Sequence, residues 1–372
     1  MSKTKAIAPP KAPGYMEAIA PYEPGKPIEE LERELNIYGS IKLASNENPL
    51  GPPECIREII TGRLGKVHRY PDGAAFELTA RLAEKLHVRP ENLVLGNGSD
   101  EIIQMLVNVY LLPGDEAVMS EPSFLMYEIA VAGRGALPVK VPLAGFEVDL
   151  EAMLAAVTEK TKMIFVNNPV NPTGAMITKV QLDDLLSRLP ENVMVVLDEA
   201  YIEFATDPSI ARGTDYLGRD GRVVTLRTFS KIYGLAGLRV GYGIMAPEIA
   251  GYLNRIRLPF NVNSLAQAAA VAALSDDSYV RKTVSLVKEG LAYFYKEMDR
   301  LGLPFHRSQA NFLIIELGRD AKNVFQRLLR RGVIVRALTS YGFPQCIRVS
   351  VGLAEENQRF VAALADVLKE MD

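Results

Sequence analysis

Short apolar runs rich in valine, isoleucine and leucine alternate with stretches of helical periodicity through the middle of the chain. Such runs predict strands that are buried on both faces of a sheet, with helices between them. The predicted strands are Leu93–Leu95, Ala117–Met119, Met163–Val166, Val193–Leu197, Val223–Leu226 and Val240–Ile244. The helices between them include Asp100–Leu111, Ser123–Ala132 and Thr178–Leu189. We therefore expect an α/β fold, in which a large domain has a mostly parallel sheet sandwiched by helices.

The pattern differs on both sides of this region. Residues 1–40 are rich in proline and predict an N-terminal arm with one short helix, Ile28–Leu35, that packs with a smaller domain. From Asn263 a helical stretch runs towards Leu301, and shorter strands are predicted after it at Phe312–Leu317, Val333–Arg336 and Ile347–Val351. We predict three parts: the arm at 1–40, the large domain at 41–275 and a smaller α+β domain at 276–372.

Composition restricts the function. A chain of 372 residues suits about two domains. Its net charge of −3 provides no basic field that would attract nucleic acid or an anionic membrane. The longest unbroken apolar run, Ala268–Leu274, is far too short to span a bilayer. The 2 cysteines and 3 histidines are scattered, so we expect no disulfide framework and no metal site. We predict a cytoplasmic protein.

Arg227–Arg239 contains the most informative chemistry. It follows the predicted strand Val223–Leu226 and places Lys231 among small and apolar neighbours. An isolated lysine is ordinarily a surface residue, but desolvation lowers the pKa of a lysine, and a neutral amine can form a Schiff base. Ser230 adds a hydroxyl, and Arg239 adds a planar guanidinium suited to phosphate. Together these groups predict a site for a phosphorylated carbonyl cofactor.

Asp198 directly follows the apolar run Val193–Leu197, which brings its carboxylate to the carboxyl end of a predicted strand. Ligands of α/β sheets bind at that edge. A buried carboxylate needs a partner, and a protonated pyridine nitrogen would supply one. The alternative is a helix-capping aspartate. Tyr201, three residues later, is expected on the same side of the turn.

Three further turns follow predicted strands. Gly96–Glu101 opens a helix and predicts either an anion site or an ordinary capped turn. Glu101 stands where a dinucleotide-binding fingerprint requires glycine, which disfavours that class. Asn167–Gly174 contains two Asn-Pro pairs, and Phe124 lies in a turn after a third strand. Phe124 could equally be a core residue.

These motifs resemble those of the fold-type I pyridoxal-phosphate (PLP) aminotransferases. The resemblance rests on Ser230–Arg239, with the pattern S-K-x-x-x-L-x-G-x-R, and on Asn168–Gly174, with N-P-x-N-P-T-G. It extends from Asn46 to Arg348. Within this family the chain most resembles the histidinol-phosphate aminotransferases, as seen at Pro21–Gly25, Ser45–Pro49, Arg69–Gly73, Gly332–Arg336 and Ile347–Gly352.

The resemblance implies PLP as the cofactor and assigns roles around it. The residues expected to contact the ring or its aldehyde are Lys231, Asp198, Tyr201, Asn171 and Phe124, of which the first three are catalytic. The residues expected to hold the cofactor's phosphate are Ser99, Asp100 (through its backbone N–H), Ser230, Arg239 and, from a neighbouring subunit, Tyr70. The role of Tyr70 implies a homodimer with shared active sites.

The resemblance also implies a reaction and its substrate contacts. The substrate-binding residues would be Tyr22, Asn46, Arg336 and Arg348. The expected reaction is transamination between histidinol phosphate and 2-oxoglutarate in histidine biosynthesis. Close alternatives are an aromatic amino acid aminotransferase and a threonine-phosphate decarboxylase. A ligand-sensing regulator is disfavoured, because the arm is too short for a DNA-binding domain.

Overall fold

The computed structural model describes residues 9–21 and 25–371. Strand β1 (Ile41–Lys42) belongs to a small sheet discussed below. In the described part of the chain the largest sheet has seven strands. In chain order these are β2 (Leu93–Gly96), β3 (Glu116–Glu121), β4 (Leu137–Pro142), β5 (Thr161–Asn167), β6 (Met194–Asp198), β7 (Val223–Thr228) and β8 (Gly241–Ile244).

The order of the strands across this sheet is β2-β8-β7-β6-β5-β3-β4. Strand β8 is antiparallel to both of its neighbours, whereas the other adjacent pairs are parallel. Asn167 lies opposite Asp198, and Gly241 lies opposite both Gly96 and Thr228. The carboxyl ends of β2, β5, β6 and β7 therefore meet the start of β8 at one edge of the sheet. Ligands bind at this edge in open α/β folds.

Helices cover both faces of the sheet. The helices before α10 are α1 (Ile28–Leu35), α2 (Glu54–Arg63), α3 (Phe76–Leu86), α4 (Ser99–Tyr110), α5 (Leu125–Gly133), α6 (Leu150–Ala155), α7 (Lys179–Arg188), α8 (Pro247–Ile256) and α9 (Ser264–Leu274). Successive residues of β6 alternate between the two cores, because side chains of a strand point to opposite faces. Val196 packs in the cluster with Ile102 of α4, whereas Val195 packs in the cluster with Leu182 of α7. This confirms the prediction of a buried α/β sheet.

The remaining strands and helices form a smaller α+β region. Its elements are α10 (Asp277–Leu301), β9 (Phe305–His306), β10 (Phe312–Glu316), α11 (Ala321–Leu329), β11 (Val333–Ile334), β12 (Arg336–Ala337), β13 (Cys346–Ser350) and α12 (Ala354–Lys369). Four of these strands form an antiparallel sheet in the order β12-β13-β10-β9.

The predicted strand Val333–Arg336 is divided between two sheets. Val333 and Ile334 pair in parallel with β1, whereas Arg336 pairs with Arg348 of β13. The apolar run continues across this break because Val335 is also buried, so hydrophobicity alone does not reveal the change of partner. The pairing of β1 with β11 joins residue 41 to the smaller region. The domain boundaries drawn from the sequence remain predictions.

The N-terminal arm contacts both regions. A short 3-10 helix at Gly14–Ala18 lies against α5, and Leu31 of α1 packs with Leu329 and Ile334 of the smaller region. Across the described residues, we find no helix that is both long enough and apolar enough to cross a membrane.

Strand β4 was not predicted from the sequence. Its six residues include Pro138 and Pro142, which cannot donate hydrogen bonds to a neighbouring strand. The position of β4 at the edge of the sheet tolerates them, because one side of an edge strand has no neighbour to bond.

Candidate active site

A cavity of about 240 Å³ opens at the carboxyl edge of the large sheet. Nine of the residues predicted for the cofactor line it: Ser99, Asp100, Phe124, Asn171, Asp198, Tyr201, Ser230, Lys231 and Arg239. They come from five segments of the chain that are far apart in sequence. The sheet topology brings these segments together, because the turns after β2, β3, β5, β6 and β7 all leave at this edge.

Lys231 lies in the turn after β7, with its amine in the cavity. Its Nζ donates a hydrogen bond to the carbonyl oxygen of Ser45 at 3.0 Å, and Asn48 Nδ2 donates to the carbonyl of Ile232 at 3.0 Å. Burial, together with the nearby positive charge of Arg348, lowers the pKa of Lys231 to about 8. A lysine with this pKa supplies neutral amine near neutral pH, as covalent bonding to a carbonyl requires.

This pKa predicts how pH affects the stability of the cofactor-free protein. Below about pH 8 the amine is protonated in the folded and the unfolded chain, so the full cost of burying its charge opposes folding. From there to about pH 10.5 the folded amine becomes neutral while the unfolded amine remains charged, and this cost disappears. Below that window Lys231→Met should therefore be more stable than wild type by on the order of 2 kcal/mol, with the difference shrinking as the pH rises.

Chemical denaturation of both proteins at a series of pH values measures this difference. Lys179→Met, at an exposed position, is the matched control and should show no comparable pH-dependent gain. A gain for Lys231→Met that stays constant with pH would contradict the assignment.

Asp198 ends β6 and is buried at the base of the cavity. Tyr127 donates its hydroxyl to Asp198 Oδ2 at 2.5 Å, and the backbone N–H of Ala200 donates to Oδ1 at 3.1 Å. Burial raises the pKa of Asp198 to about 6, although these two hydrogen bonds act in the opposite direction. The carboxylate is thus ionised near neutral pH and would be stabilised further by a cation in the cavity.

Tyr127 was not predicted from the sequence. It lies three residues after Phe124 in the first turn of α5, and its ring stacks on Phe165 of β5 with the centroids 4.6 Å apart. The spacing from Phe124 would place both rings on one side of a helix, which is the signal that could have identified it.

The opposite end of the cavity is suited to an anion. Arg239 Nη1 approaches Ser230 Oγ at 3.3 Å, and Thr228 Oγ1 donates to the same Ser230 oxygen at 2.9 Å. Helix α4 begins at Ser99, so its first backbone N–H groups point towards this end. Gly98 has a φ of +81°, which favours glycine, and a Cβ there would also displace the guanidinium of Arg239.

Asp100 also contacts Arg239, with Oδ2 and Nη2 3.2 Å apart. Burial raises the pKa of Asp100, whereas the charge of Arg239 opposes the increase. The carboxylate therefore partly neutralises the guanidinium, and Asp100 can offer its backbone N–H to an anion as predicted.

Asn171 and Tyr201 line a third side of the cavity, and a buried residue contacts each of them. Arg348 donates to Asn171 Oδ1 and, at 2.7 Å, to the carbonyl of Ala44. Asn46 Nδ2 donates to the Tyr201 hydroxyl at 3.0 Å. Asn46 and Arg348, which were predicted to bind substrate, are both buried directly behind the cavity.

A larger cavity of about 600 Å³ adjoins the first one through Phe124. Arg336 lines it, with Tyr341 and Phe343 from the loop after β12 and with Ala20 and Pro21 of the arm. The guanidinium of Arg336 lies 5.9 Å from the centroid of the Tyr341 ring. This second cavity, which the sequence did not predict, offers space for a substrate beside the cofactor position.

Two predicted residues lie elsewhere. Tyr70 is 82% exposed and is not among the described residues that line the cavity of Lys231. Tyr22 lies outside the described residues, so its predicted substrate contact stays a prediction.

The chemistry of the cavity fits PLP. An anionic carboxylate at one end can pair with a protonated ring nitrogen, and the hydroxyls, helix terminus and guanidinium at the other end can bind a phosphate. Lys231 lines the same cavity and has a pKa suited to a Schiff base with an aldehyde. The fold and this site are together those of the fold-type I PLP-dependent enzymes.

Comparison with known proteins identifies the group within this class. Residues 38–364 match the aminotransferase class I and II family, and this chain belongs to that family of PLP-dependent enzymes. A histidinol-phosphate aminotransferase from Moorella thermoacetica is 47% identical over 361 residues, covering 96% of this chain and 93% of that protein.

Two further relatives extend this comparison. Histidinol-phosphate aminotransferase 2 of Pseudomonas aeruginosa is 48% identical over 355 residues, covering 95% of this chain and 96% of that protein. The crystal structure of histidinol-phosphate aminotransferase from Sinorhizobium meliloti, in complex with pyridoxal-5'-phosphate, superposes with a TM-score of 0.89 at 29% identity. The superposition covers 96% of this chain and 98% of that chain.

Proposed function

We propose that this aminotransferase converts imidazole acetol phosphate and glutamate into histidinol phosphate and 2-oxoglutarate, a step of histidine biosynthesis. The observation that carries the proposal is the 47–48% identity, over nearly the whole chain, to relatives that bear this name. The cytoplasmic location and the lack of nucleic-acid and membrane partners remain predictions from composition.

The residues around the first cavity divide the work of transamination. When bound, PLP supplies an electron-accepting ring that stabilises negative charge developing on the substrate Cα. Asp198 keeps the ring nitrogen protonated, and Asn171 and Tyr201 bind the ring oxygen. Lys231 Nζ, with a pKa near 8, accepts the proton from the substrate Cα as a general base. Phe124 covers the ring, which fixes its plane and excludes water.

The anion site completes the proposed cofactor contacts. Ser230 and Arg239 bind the phosphate of PLP from one side, and the backbone N–H groups of Ser99 and Asp100 bind it from the other. Thr228, which was not predicted, holds Ser230 through the 2.9 Å hydrogen bond described above. Together these residues would hold the cofactor in the cavity that Lys231 lines.

The second cavity is the proposed position of the substrate's phosphate. Histidinol phosphate carries a charge of about −1.5 to −2 on its phosphate near pH 7 and has no carboxylate. Two cations line this cavity, Lys140, which pairs with Glu121 and Glu128, and Arg336. Arg336 is the proposed partner of the phosphate, and Tyr22 stays a proposed second contact. Arg348, closer to Lys231, would bind the glutamate carboxylate.

Replacing Arg336 tests whether this arginine binds the substrate's phosphate while Arg348 binds the glutamate carboxylate. Arg336→Ala should lower kcat/KM for histidinol phosphate by about 10- to 100-fold, because a charge-assisted hydrogen bond contributes roughly 1.5–3 kcal/mol. The same variant should change kcat/KM for phenylalanine, assayed with the same keto acceptor, much less. Arg348→Ala should impair both substrates. Arg330→Ala, an exposed arginine nearby in sequence, is the control. An equal loss for both substrates in Arg336→Ala would contradict the phosphate contact.

An aromatic amino acid aminotransferase is the second candidate. Phe124, Tyr341 and Phe343 give the larger cavity an aromatic wall that would accept a benzyl side chain. This reaction would use the same chemistry at Lys231 and Asp198 and would not need Arg336. The two candidate reactions therefore differ in their need for Arg336: the reaction of histidinol phosphate should require it, and that of an aromatic amino acid should not.

We also propose that the enzyme is a homodimer with shared active sites. Residues 67–76 and 257–260 expose several large apolar side chains, and the rings of Tyr70 and Phe260 stack with centroids 4.6 Å apart. The most exposed of these side chains are Tyr70 at 82%, Phe76 at 77% and Leu258 at 68%. A second copy of the chain would remove this apolar surface from water. Tyr70 would then reach the PLP phosphate of its partner.

Mixing two inactive variants tests the shared site. Lys231→Ala and Tyr70→Phe subunits should form heterodimers in which one site carries both changes and the other carries neither. Activity should exceed that of either parent in proportion to the heterodimer fraction, provided that the subunits exchange and Tyr70→Phe is strongly impaired. Tyr38→Phe, at another highly exposed tyrosine, is the control for Tyr70→Phe. No gain in verified heterodimers would exclude a contribution of Tyr70 to the partner's site.

A further inference from the structure

We propose that Asn46 is a positioning residue, which aims the hydroxyl proton of Tyr201 into the cofactor cavity and is itself held by Ser350 of the smaller region. The inference deepens the proposed function, because it rests on the role proposed there for Tyr201. It replaces the direct contact with substrate that the sequence predicted for Asn46.

Asn46 is buried beside the cavity and is not part of its described wall. Its neighbours Ser45 and Glu47 line the cavity, whereas Asn46 is 1% exposed and is not among the described lining residues. Its φ of 55° is in the left-handed region, which asparagine tolerates better than most residues. From this backbone turn the side chain of Asn46 reaches the hydroxyl of Tyr201.

Hydrogen bonds fix the orientation of the Asn46 amide. The backbone N–H of Asn46 donates to Ser350 Oγ at 2.9 Å, and Ser350 Oγ donates to Asn46 Oδ1 at 2.9 Å. Asn311 Nδ2 donates to the carbonyl of Asn46 at 3.1 Å. Because Oδ1 accepts from Ser350, Nδ2 is the atom that faces Tyr201, at 3.0 Å from its hydroxyl oxygen.

This orientation determines what Tyr201 can do. An amide Nδ2 can only donate, so the hydroxyl oxygen of Tyr201 accepts from Asn46 and its proton must point to another acceptor. Tyr201 lines the cavity, where the ring oxygen of PLP would be that acceptor. Accepting one hydrogen bond also makes a hydroxyl a stronger donor of the next.

The same strand orients the second group proposed for the ring oxygen. Arg348 and Ser350 are two residues apart on β13 and therefore point to the same face. Arg348 donates to Asn171 Oδ1, which leaves Asn171 Nδ2 as the donor available to the cavity. Residues on one face of β13 thus orient both hydrogen-bond donors: Arg348 orients Asn171 directly, and Ser350 orients Tyr201 through Asn46.

The absorption spectrum of bound PLP as a function of pH tests this inference without measuring turnover. Negative charge on the ring oxygen stabilises a proton on the nitrogen of Lys231. A hydrogen bond to that oxygen reduces this charge, so the nitrogen loses its proton at a lower pH. Loss of that bond should therefore raise the pH at which the cofactor band changes. We expect Tyr201→Phe to raise this midpoint by about one pH unit and Asn46→Gly to raise it by about half a unit.

Glycine is the suitable substitute at position 46, because it retains the positive φ and introduces no charge. Asn36→Gly is the matched control, since Asn36 also has a positive φ, of 52°, but lies at the end of α1. Ser350→Ala should also raise the midpoint, because the side-chain amide of Asn46 would no longer be held in its orientation. It provides a second variant if Asn46→Gly fails to fold.

A double variant decides whether Asn46 acts through Tyr201. Adding Asn46→Gly to Tyr201→Phe should cause no further shift, because the group that Asn46 orients is already absent. If Tyr201→Phe shifts the midpoint but neither Asn46→Gly nor Ser350→Ala does, or if the shifts add, the role of Asn46 is overturned. If Tyr201→Phe itself causes no shift, the role proposed for Tyr201 fails first, and that of Asn46 fails with it.

Discussion

Lys231→Ala should lower kcat by at least about 10³-fold with any amino donor, because the substitution removes both the amine that bonds to PLP and the general base. The structure supports this expectation because Lys231 lines the same cavity as Asp198, Ser230 and Arg239 and has a pKa of about 8. Single-turnover absorbance measurements, with saturating substrate, give the rate of the chemical step directly.

Borohydride treatment separates the covalent role from general damage. In the wild type, reduction should fix PLP on the peptide that contains Lys231. Lys179→Ala, at an exposed position, should retain this label and normal kcat. Near-normal turnover in Lys231→Ala, or a label on another lysine, would contradict the role given to Lys231.

The second large effect is expected at Asp198. Asp198→Asn should lower kcat by about 10²- to 10³-fold, because a neutral amide cannot hold the proton on the ring nitrogen as a carboxylate does. PLP should still bind through Lys231 and the phosphate contacts. Stopped-flow rates of both half-reactions, together with PLP content, measure the two properties separately.

Asp184→Asn is the matched control, since Asp184 is an exposed aspartate on α7 that pairs with Arg188. It should leave kcat unchanged. Asp198→Asn with wild-type kcat would show that the ring nitrogen does not depend on this carboxylate. Loss of PLP in proportion to the loss of rate would instead indicate a binding role.

Much of the fold followed from local patterns. The apolar runs that form β2, β5, β6 and β7 are continuous and short, so each predicted strand matched the observed one within two residues at either end. The turns after these strands contain Lys231, Asp198 and Asn171, and the topology of parallel strands brings such turns together without further information.

Other features depend on contacts that a linear pattern does not contain. Tyr127 bonds to Asp198, 71 residues away, and Ser350 bonds to Asn46, 304 residues away. These contacts arise from the packing of α5 beneath the sheet and of β13 against residues 44–46. The larger cavity combines residues from the arm, from β4 and from the loop after β12, and so it could not be deduced from any one segment.

The most direct test of the proposed function is the ratio of kcat/KM for histidinol phosphate to kcat/KM for phenylalanine, with 2-oxoglutarate as the common acceptor. A site that pairs Arg336 with the substrate's phosphate should favour histidinol phosphate by at least about tenfold, since this pairing contributes roughly 1.5–3 kcal/mol that phenylalanine cannot obtain from Arg336. We predict a ratio above ten. A ratio of one or below would contradict the proposal and would favour an aromatic amino acid aminotransferase.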